Sequence, residues 1–383
     1  MSKFFPFFQP IVDIPSGKIV GYEALARTKD EKNGEVISCG PMFSDANVRK
    51  DFLLDLDRTV RQQAIEAIAA MPGDTFITLN ISPEWIDLLD AQQDVPTIKM
   101  IKESGVDPRR IIIEITEKHG DVTKLQRLVS LYRAEGMRIA IDDFGAGFSE
   151  IGRLIALEPD IIKLDMRFFK SAVEGGIADD ALRAVAFMAE RIGCEILCEG
   201  VETEKEFNFA IDCGATLIQG FLFHPAAEHF VEPIATRNQV SVLRSHFLEG
   251  KILEEQLHCQ RYAGTQKKAN LIKQAWGENN RFDLQLLPSI AENIIRFYVC
   301  GKSGEQLSPN YDYDSQNWLI DESYMGLNWS SRPYLYQMLA VANINPTREV
   351  ISRPYRDRTS RELLQSIGLK LNESSILIVD YIA

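Results

Sequence analysis

From the start of the chain to about residue 230, short apolar runs rich in β-branched residues alternate with stretches of helical periodicity, the pattern of βα units around a parallel sheet. The runs at 76–79, 111–113, 138–141, 161–162, 195–198 and 216–218 are continuous enough to predict strands buried on both faces. Helical stretches such as 124–136 and 179–193 lie between them, each closed by a glycine suited to a helix C-cap. Roughly 240 residues so organised are the size of one (β/α) barrel. The runs 8–12 and 18–22 are joined by Asp13-Ile14-Pro15-Ser16-Gly17, too short for a crossover helix, so an antiparallel hairpin is expected there.

The pattern changes after His224-Pro225. Residues 238–276 carry no strand signal and no proline. Val242, Leu243, Phe247, Leu253, Leu257, Tyr262 and Leu271 recur at helical spacing, which predicts a helical connector broken at Gly250 and Gly264. Beyond it, strands are expected at 294–299 and 376–381 and helices near 332–342 and 360–367. The expected organisation is therefore a barrel over 1–237, a connector over 238–277 and an α+β domain over 278–383.

Composition narrows the function classes. The chain has 383 residues, 45% hydrophobic and 25% charged, and its 42 Lys+Arg against 55 Asp+Glu leave a formal net charge of −13. Such a chain repels nucleic acid polymers and anionic membranes unless a local feature reverses the sign. The six cysteines contain no C-x-x-C pair, which speaks against a zinc knuckle or a disulfide framework and for a reduced, cytoplasmic setting. The run Phe4-Phe5-Pro6-Phe7-Phe8 is too short for a signal-peptide core and reads as a buried strand. No stretch approaches the roughly 20 apolar residues of a membrane span.

Candidate chemistry lies at the strand ends. Glu23 follows the second strand, Asn80 follows 77–79, and Glu114 follows 111–113. Asp142 and Asp143 follow 139–141, Lys163 follows 161–162, Glu199 follows 196–198 and Gln219 follows 217–218. In a parallel barrel the strand C-termini open onto one face, so these side chains are expected to converge. Carboxylates so gathered need cations, and hard oxygen ligands without His or Cys select Mg²⁺ or Mn²⁺. The Asp142-Asp143 pair offers a carboxylate that could bridge two ions, and two such ions about 4 Å apart suit in-line displacement at phosphorus.

These residues also carry a family resemblance. Glu23-Ala24-Leu25-Ala26-Arg27 resembles the signature of the EAL domain, the cyclic di-GMP phosphodiesterases. Further blocks follow in the family's order: Leu79-Asn80-Ile81-Ser82-Pro83, Ile113-Glu114-Ile115-Thr116-Glu117, Asp142-Asp143-Phe144-Gly145-Ala146-Gly147, Ile162-Lys163-Leu164-Asp165, Glu199-Gly200-Val201-Glu202 and Gln219-Gly220-Phe221. The resemblance spans roughly residues 5 to 235 and implies a TIM-like (β/α)8 barrel with an antiparallel first strand. It implies Glu23, Asn80, Glu114 and Asp142 as ligands of one metal and Asp142 with Asp143 as ligands of a second. Lys163 and Glu199 would hold and activate the attacking water, with Glu199 as general base, and Arg27 would bind a phosphate. Gln219, Leu25 and Gln9 would contact the substrate, and Glu117, counted with Lys163 and Glu199 as catalytic, would pin the loop after Asp142-Asp143, which supports metal binding and, in relatives, dimer communication. The implied reaction is hydrolysis of cyclic di-GMP to linear 5′-pGpG by a homodimer. A degenerate barrel that senses cyclic di-GMP, or serves as a scaffold without cutting it, is the alternative. Many relatives carry Thr, Tyr and Ser where this chain has Ala146, Phe148 and Glu150. A Gly-Gly-Asp-Glu-Phe block and a Walker-type loop are both absent from the sequence.

The C-terminal segment combines a strand at 296–300, a glycine turn, Ser308-Pro309-Asn310 and then Asn328-Trp329-Ser330-Ser331-Arg332-Pro333-Tyr334 opening a helix. It resembles a PAS/Cache-like sensory domain. Trp329, Arg332 and Tyr334 are candidates to line a small-ligand pocket, an aromatic wall with one cation for an anionic group.

Overall fold

The computed structural model describes residues 3–45, 47–81, 95–116, 122–146, 150–277, 279, 281–287, 293–314, 316–345 and 348–383. It divides into two compact units, Met1–Glu249 and Gly250–Ala383.

In the first unit the strands are β1 (Phe4–Asp13), β2 (Lys18–Lys29), β3 (Val36–Ser38), β4 (Phe76–Ile81), β5 (Ile111–Thr116), β6 (Arg138–Phe144), β7 (Ile161–Leu164), β8 (Glu195–Cys198) and β9 (Leu217–Ile218). Their order is β1-β9-β8-β7-β6-β5-β4-β2-β3, and β1 also pairs with β2, which closes a ring of eight strands with β3 appended. β1 runs antiparallel to both neighbours while the other ring pairs are parallel, so the expected hairpin and antiparallel first strand are present. Phe4, Pro6 and Phe8 are buried on one side of β1, as the apolar start predicts.

Period-two alternation sorts the barrel's side chains. Ile11, Phe76, Ile112, Ala140, Ile161, Leu197 and Leu217 form a compact cluster inside the barrel. Their sequence neighbours Ile77, Ile111, Ile113, Ile139, Ile141 and Ile162 pack outward against the helices. A residue two positions beyond an inner apolar residue therefore points inward again, one layer nearer the mouth. This rule places Glu114 above Ile112, Asp142 above Ala140, Lys163 above Ile161, Glu199 above Leu197 and Gln219 above Leu217. In β1 the order is reversed, so Gln9, which precedes Ile11, reaches the mouth directly opposite Glu23.

A single helix, Arg237–Gln274, follows the barrel without the breaks expected at Gly250 and Gly264. Glycine inside a helix costs about 1 kcal/mol relative to alanine, too little to interrupt a helix packed near both ends. Val240 and Leu243 are buried in the first unit and Ala269 and Ile272 in the second, while Val242, Leu253 and Leu257 between them are exposed.

The second unit is built on an antiparallel sheet of seven strands: β10 (Ile294–Gly301), β11 (Asn310–Tyr313), β12 (Trp318–Asp321), β13 (Val350–Ile351), β14 (Tyr355–Arg356), β15 (Leu363–Lys370) and β16 (Ser375–Ile382). Ala269 and Ile272 of the long helix cover one face with Phe297 and Val379, and Pro333–Ile344 covers the other through Tyr334, Leu335 and Met338. Met338 lies where a Cβ on Gly368 would stand, so the missing side chain lets the helix settle on the sheet. The helix expected over 360–367 is replaced by β15. Leu363, Leu364 and Ile367 fall at helical spacing, but pairing with β16 buries every position from Leu364 to Leu369, which a one-sided helix would not do. All six cysteines are free, and no helix among the described residues is long and apolar enough to cross a membrane.

Candidate functional site

The strand-end residues meet around one cation. Lys163, only 1% exposed, places Nζ 2.8 Å from Glu199 Oε1, 2.9 Å from Glu114 Oε1, 2.9 Å from Asp142 Oδ1 and 3.4 Å from Glu23 Oε2. Asn80 Nδ2 donates to Glu23 Oε1 at 3.0 Å, and Gln219 Nε2 donates to Glu23 Oε2 at 2.7 Å. Glu23 is thereby held by neutral amides from two other strands. Glu114 is deeper than its strand-end position suggests, because β5 continues past it to Thr116 and leaves it fully buried.

Asp142 and Asp143 are adjacent yet share the site with Glu199, ligand atoms of all three lying within 4.8 Å of one another. Regular alternation would send one of the pair outward. The β6–β7 register shifts between Ile141 and Phe144, and Asp143 takes φ +56°, so a local bulge turns its carboxylate back to the mouth. The turn that follows needs Gly145, at φ +107°, because a Cβ there would meet the Phe168 ring at 2.2 Å. Gly220 after Gln219 answers a similar demand, since a Cβ would stand 2.0 Å from the Val201 carbonyl oxygen.

Five carboxylates against one ammonium set the electrostatics. Burial raises Glu114 well above the usual carboxylate range against the pull of Lys163, with Glu23 and Asp142 adding to the rise. Burial likewise pushes Glu199 up to about 8, opposed by Lys163, and Asp143 up to about 6, reinforced by Asp142. Burial works against the Lys163 charge, but Asp142, Glu114, Glu199 and Glu23 hold its pKa well above the ordinary lysine value. Glu114 Oε2 and Gln219 Oε1 are buried without a hydrogen-bond partner among the described residues. Oxygen acceptors left in this state are costly unless a cation meets them. The donor set, carboxylates and amides without His or Cys, fits hard divalent ions.

Leu25 and Arg27 share the inward face of β2 with Glu23 and line a cavity of about 270 Å³ together with Asn80 and Thr116. The Arg27 guanidinium lies 5.7 Å from the Phe7 ring and donates to the Ala26 carbonyl; burial lowers its pKa, with Cys39 and Glu23 opposing. Sequence reasoning missed the far wall of this cavity. Leu53, Asp57, Val60 and Arg61 of helix Lys50–Ala70 form it, and Asp57 and Arg61 are an ion pair there. Their i, i+4, i+7, i+8 spacing was the available signal, obscured by the presence of two charged residues in a buried stripe. Glu117, Gly147 and Phe148 lie outside the described residues, as does the side chain of Glu150. In the second unit Trp329, Arg332 and Tyr334 do line one small cavity, but Asp357 and Asp380 line it with them.

Comparison with known proteins matches this architecture. Residues 2–226 match the EAL domain model, and residues 239–382 match that of an EAL-domain associated signalling protein domain, close to the PAS/Cache-like expectation. The chain is 26% identical over 383 residues to YkuI of Bacillus subtilis (strain 168), an uncharacterized EAL-domain containing protein, across 98% of this chain and 93% of YkuI. The crystal structure of YkuI in complex with substrate c-di-GMP and calcium superimposes with a TM-score of 0.88 at 25% identity, covering 100% of this chain and 96% of YkuI. A manganese/cy-diGMP complex of Klebsiella pneumoniae BlrP1 matches with a TM-score of 0.51 at 25% identity, over 59% of this chain and 56% of BlrP1. The probable cyclic di-GMP phosphodiesterase PdeB of Escherichia coli (strain K12) is 28% identical over 225 residues, 57% of this chain and 42% of PdeB, so the chain spans under half of that relative.

Proposed function

Since this chain belongs to the EAL domain family, we propose that its barrel is a divalent-metal-dependent, cyclic-guanylate-specific phosphodiesterase that hydrolyses cyclic di-GMP to linear 5′-pGpG. The observation that carries this reading is the surplus, among the described residues, of inward carboxylates over the single Lys163 ammonium at the barrel mouth. Glu23, Asn80, Glu114 and Asp142 would hold one Mg²⁺ or Mn²⁺, and Asp142 with Asp143 a second. Bound there, such ions lower the pKa of water and neutralise charge developing on the phosphoryl group.

The chain's own residues supply the rest. Glu199, bound to Lys163 at 2.8 Å, takes the proton from the attacking water, and Lys163 fixes the orientation of that carboxylate. Arg27 offers a guanidinium fork to a non-bridging phosphate oxygen from the wall of the adjoining cavity. Leu25, Gln9 and Gln219 contact the nucleoside parts. Gln219 also holds Glu23 through its amide, so it links substrate contact to ligand geometry. The domain over 278–383 tunes output through the connector 238–277, in a cytoplasmic homodimer.

Purified protein incubated with cyclic di-GMP and Mg²⁺ or Mn²⁺ should yield pGpG. Glu23→Ala and Glu199→Ala should each abolish the product, and hydrolysis unchanged in either variant sinks the assignment. Wild-type protein that binds cyclic di-GMP in the presence of metal without releasing pGpG would instead be a receptor.

A further inference from the structure

The cavity in the second unit, which the hydrolytic reading does not use, carries charges of both signs: Arg296 and Arg332 line it, and so do Asp357 and Asp380. The two guanidiniums stand in different surroundings. Arg296 of β10 lies among carboxylates, 3.1 Å from Asp357, 3.4 Å from Asp312 and 3.8 Å from Asp380. Arg332, just before helix Pro333–Ile344, is half-buried and lies over the Trp329 ring at 5.3 Å, with no carboxylate partner among the described residues. Stacking occupies the face of a guanidinium and leaves the N–H groups in its plane available to an acceptor.

Asp380 is the complementary group. It accepts from the Ser366 hydroxyl on Oδ1 at 2.7 Å, whereas its Oδ2 stands 3.8 Å from Arg296, beyond hydrogen-bond distance. Burial raises Asp380 to about 6 against the pull of Ser366, Arg296 and Tyr355, so its neighbours compensate the carboxylate only in part. The remaining walls are aromatic. Tyr334 stacks on Tyr355 at 5.8 Å between ring centroids, the Tyr298 and Tyr334 hydroxyls meet at 3.5 Å, and Trp329 Nε1 donates to the buried Gln306 carbonyl at 2.8 Å.

These charges discriminate among ligands. A simple anion drawn to Arg332 would stand beside Asp357 and Asp380, and a simple cation drawn to Asp380 would stand beside Arg296 and Arg332. A molecule that carries both charges can turn each end to its complement, and it brings no net charge into the cavity. We infer that this cavity binds a small α-amino acid as its zwitterion, with the carboxylate on the in-plane N–H groups of Arg332 and the ammonium on Asp380 Oδ2 among the aromatic rings. The cavity measures about 30 Å³, roughly two to three times what one ordered water needs, which restricts the site to the smallest such molecules. This goes beyond the proposed hydrolysis and does not depend on it.

Isothermal titration of the full chain with glycine tests the inference, against methylammonium chloride and sodium acetate at equal ionic strength. Saturable, one-to-one binding of glycine is expected, roughly tenfold or more tighter than either fragment. Arg332→Gln and Asp380→Asn should each weaken glycine by about tenfold or more, the loss of one charge-assisted contact, and Arg332→Lys, which keeps the charge, should lose less than Arg332→Gln. Matching far-UV circular dichroism qualifies each variant; if Asp380→Asn does not fold, the half-exposed Arg332 variants and the two fragments decide the matter. No saturable heat with glycine, a fragment that binds as tightly as glycine, or glycine affinity unchanged in Arg332→Gln would each overturn it.

Discussion

Both units bury a cation among carboxylates, and they treat those carboxylates differently. In the barrel, Lys163 meets four of them within 3.4 Å, and Glu114 keeps an oxygen with no hydrogen-bond partner among the described residues. In the second unit, Arg296 meets three within 3.8 Å; amides and a hydroxyl from Thr359 and Ser360 donate to Asp357 Oδ2, and the Ser366 hydroxyl donates to Asp380 Oδ1. Surplus charge with free lone pairs is a site for hard ions that coordinate directly. Carboxylates that already accept main-chain and hydroxyl donors have fewer lone pairs to offer an ion. The contrast shows that counting charges is not enough; the donors each carboxylate already accepts must be counted with them.

The sharpest way to break this comparison is catalytic. Glu199→Gln keeps the shape of the side chain and removes its ability to take a proton, so turnover of cyclic di-GMP should fall about 10²- to 10⁴-fold, whereas Asp357→Asn in the second unit should leave the basal rate within a small factor. An assay of pGpG release on both variants checks it, and equal losses would show that the two clusters are not separate in function.

Removing the cations comes next. Lys163→Met and Arg296→Met each leave buried carboxylates uncompensated, a loss of about 3–5 kcal/mol by precedent. Denaturant unfolding in chelator should show both deficits. Added Mg²⁺ or Mn²⁺ should recover stability in Lys163→Met and not in Arg296→Met, because the barrel brings Asp142, Asp143 and Glu199 ligand atoms within 4.8 Å of one another and keeps Glu114 Oε2 without a hydrogen-bond partner among the described residues. Rescue of both would erase the distinction.

The pH dependence is smaller and has a definite sign. Glu199, Asp143 and Asp380 have folded pKa values raised by burial to about 8, 6 and 6, so the folded protein binds more protons than the unfolded chain above the ordinary carboxylate range. The contribution of these three groups to stability is therefore fullest below that range and is lost as pH rises through the folded values. In chelator, the decline assigned to the second unit should end near pH 6 and that of the barrel should continue to about pH 8. Divalent cations should flatten the barrel's portion only. Melting curves across this range would contradict the picture if the decline ended at pH 6 for both units.

The smallest effect concerns the helix that the two units share. Gly250→Ala and Gly264→Ala meet nothing within 4 Å and should each stabilise by about 0.5–1 kcal/mol, read as a rise in unfolding midpoint. A loss of stability would show that these glycines serve a bend after all.

Legibility followed topology. In the barrel, parallel strands deliver their C-terminal ends to one face, so Asn80, Glu114, Asp142, Lys163, Glu199 and Gln219 could be gathered from sequence order alone. The antiparallel first strand reversed the rule for Gln9, which the family resemblance recovered. What the pattern did not reveal was the bulge that turns Asp143 inward, because strand alternation by itself predicts the opposite face. Nor did it reveal Asp57 and Arg61 in the cavity wall, where charge hides a buried helical stripe. The expected helix over 360–367 failed for the related reason that Leu363, Leu364 and Ile367 satisfy both periods, and only pairing with β16 decides between them.

The sequence by itself therefore determined the barrel, its open end and the acidic chemistry gathered there, because local periodicity and a single topological rule suffice to bring those residues together. It also determined that Trp329, Arg332 and Tyr334 share a neighbourhood, since they adjoin one helix start. Only the tertiary structure decided which charged groups join that neighbourhood. Asp312, Asp357 and Asp380 reach Arg296 through antiparallel register and a loop, and register depends on long-range pairing in which a shift of one residue would send Asp312 and Asp380 to the opposite face.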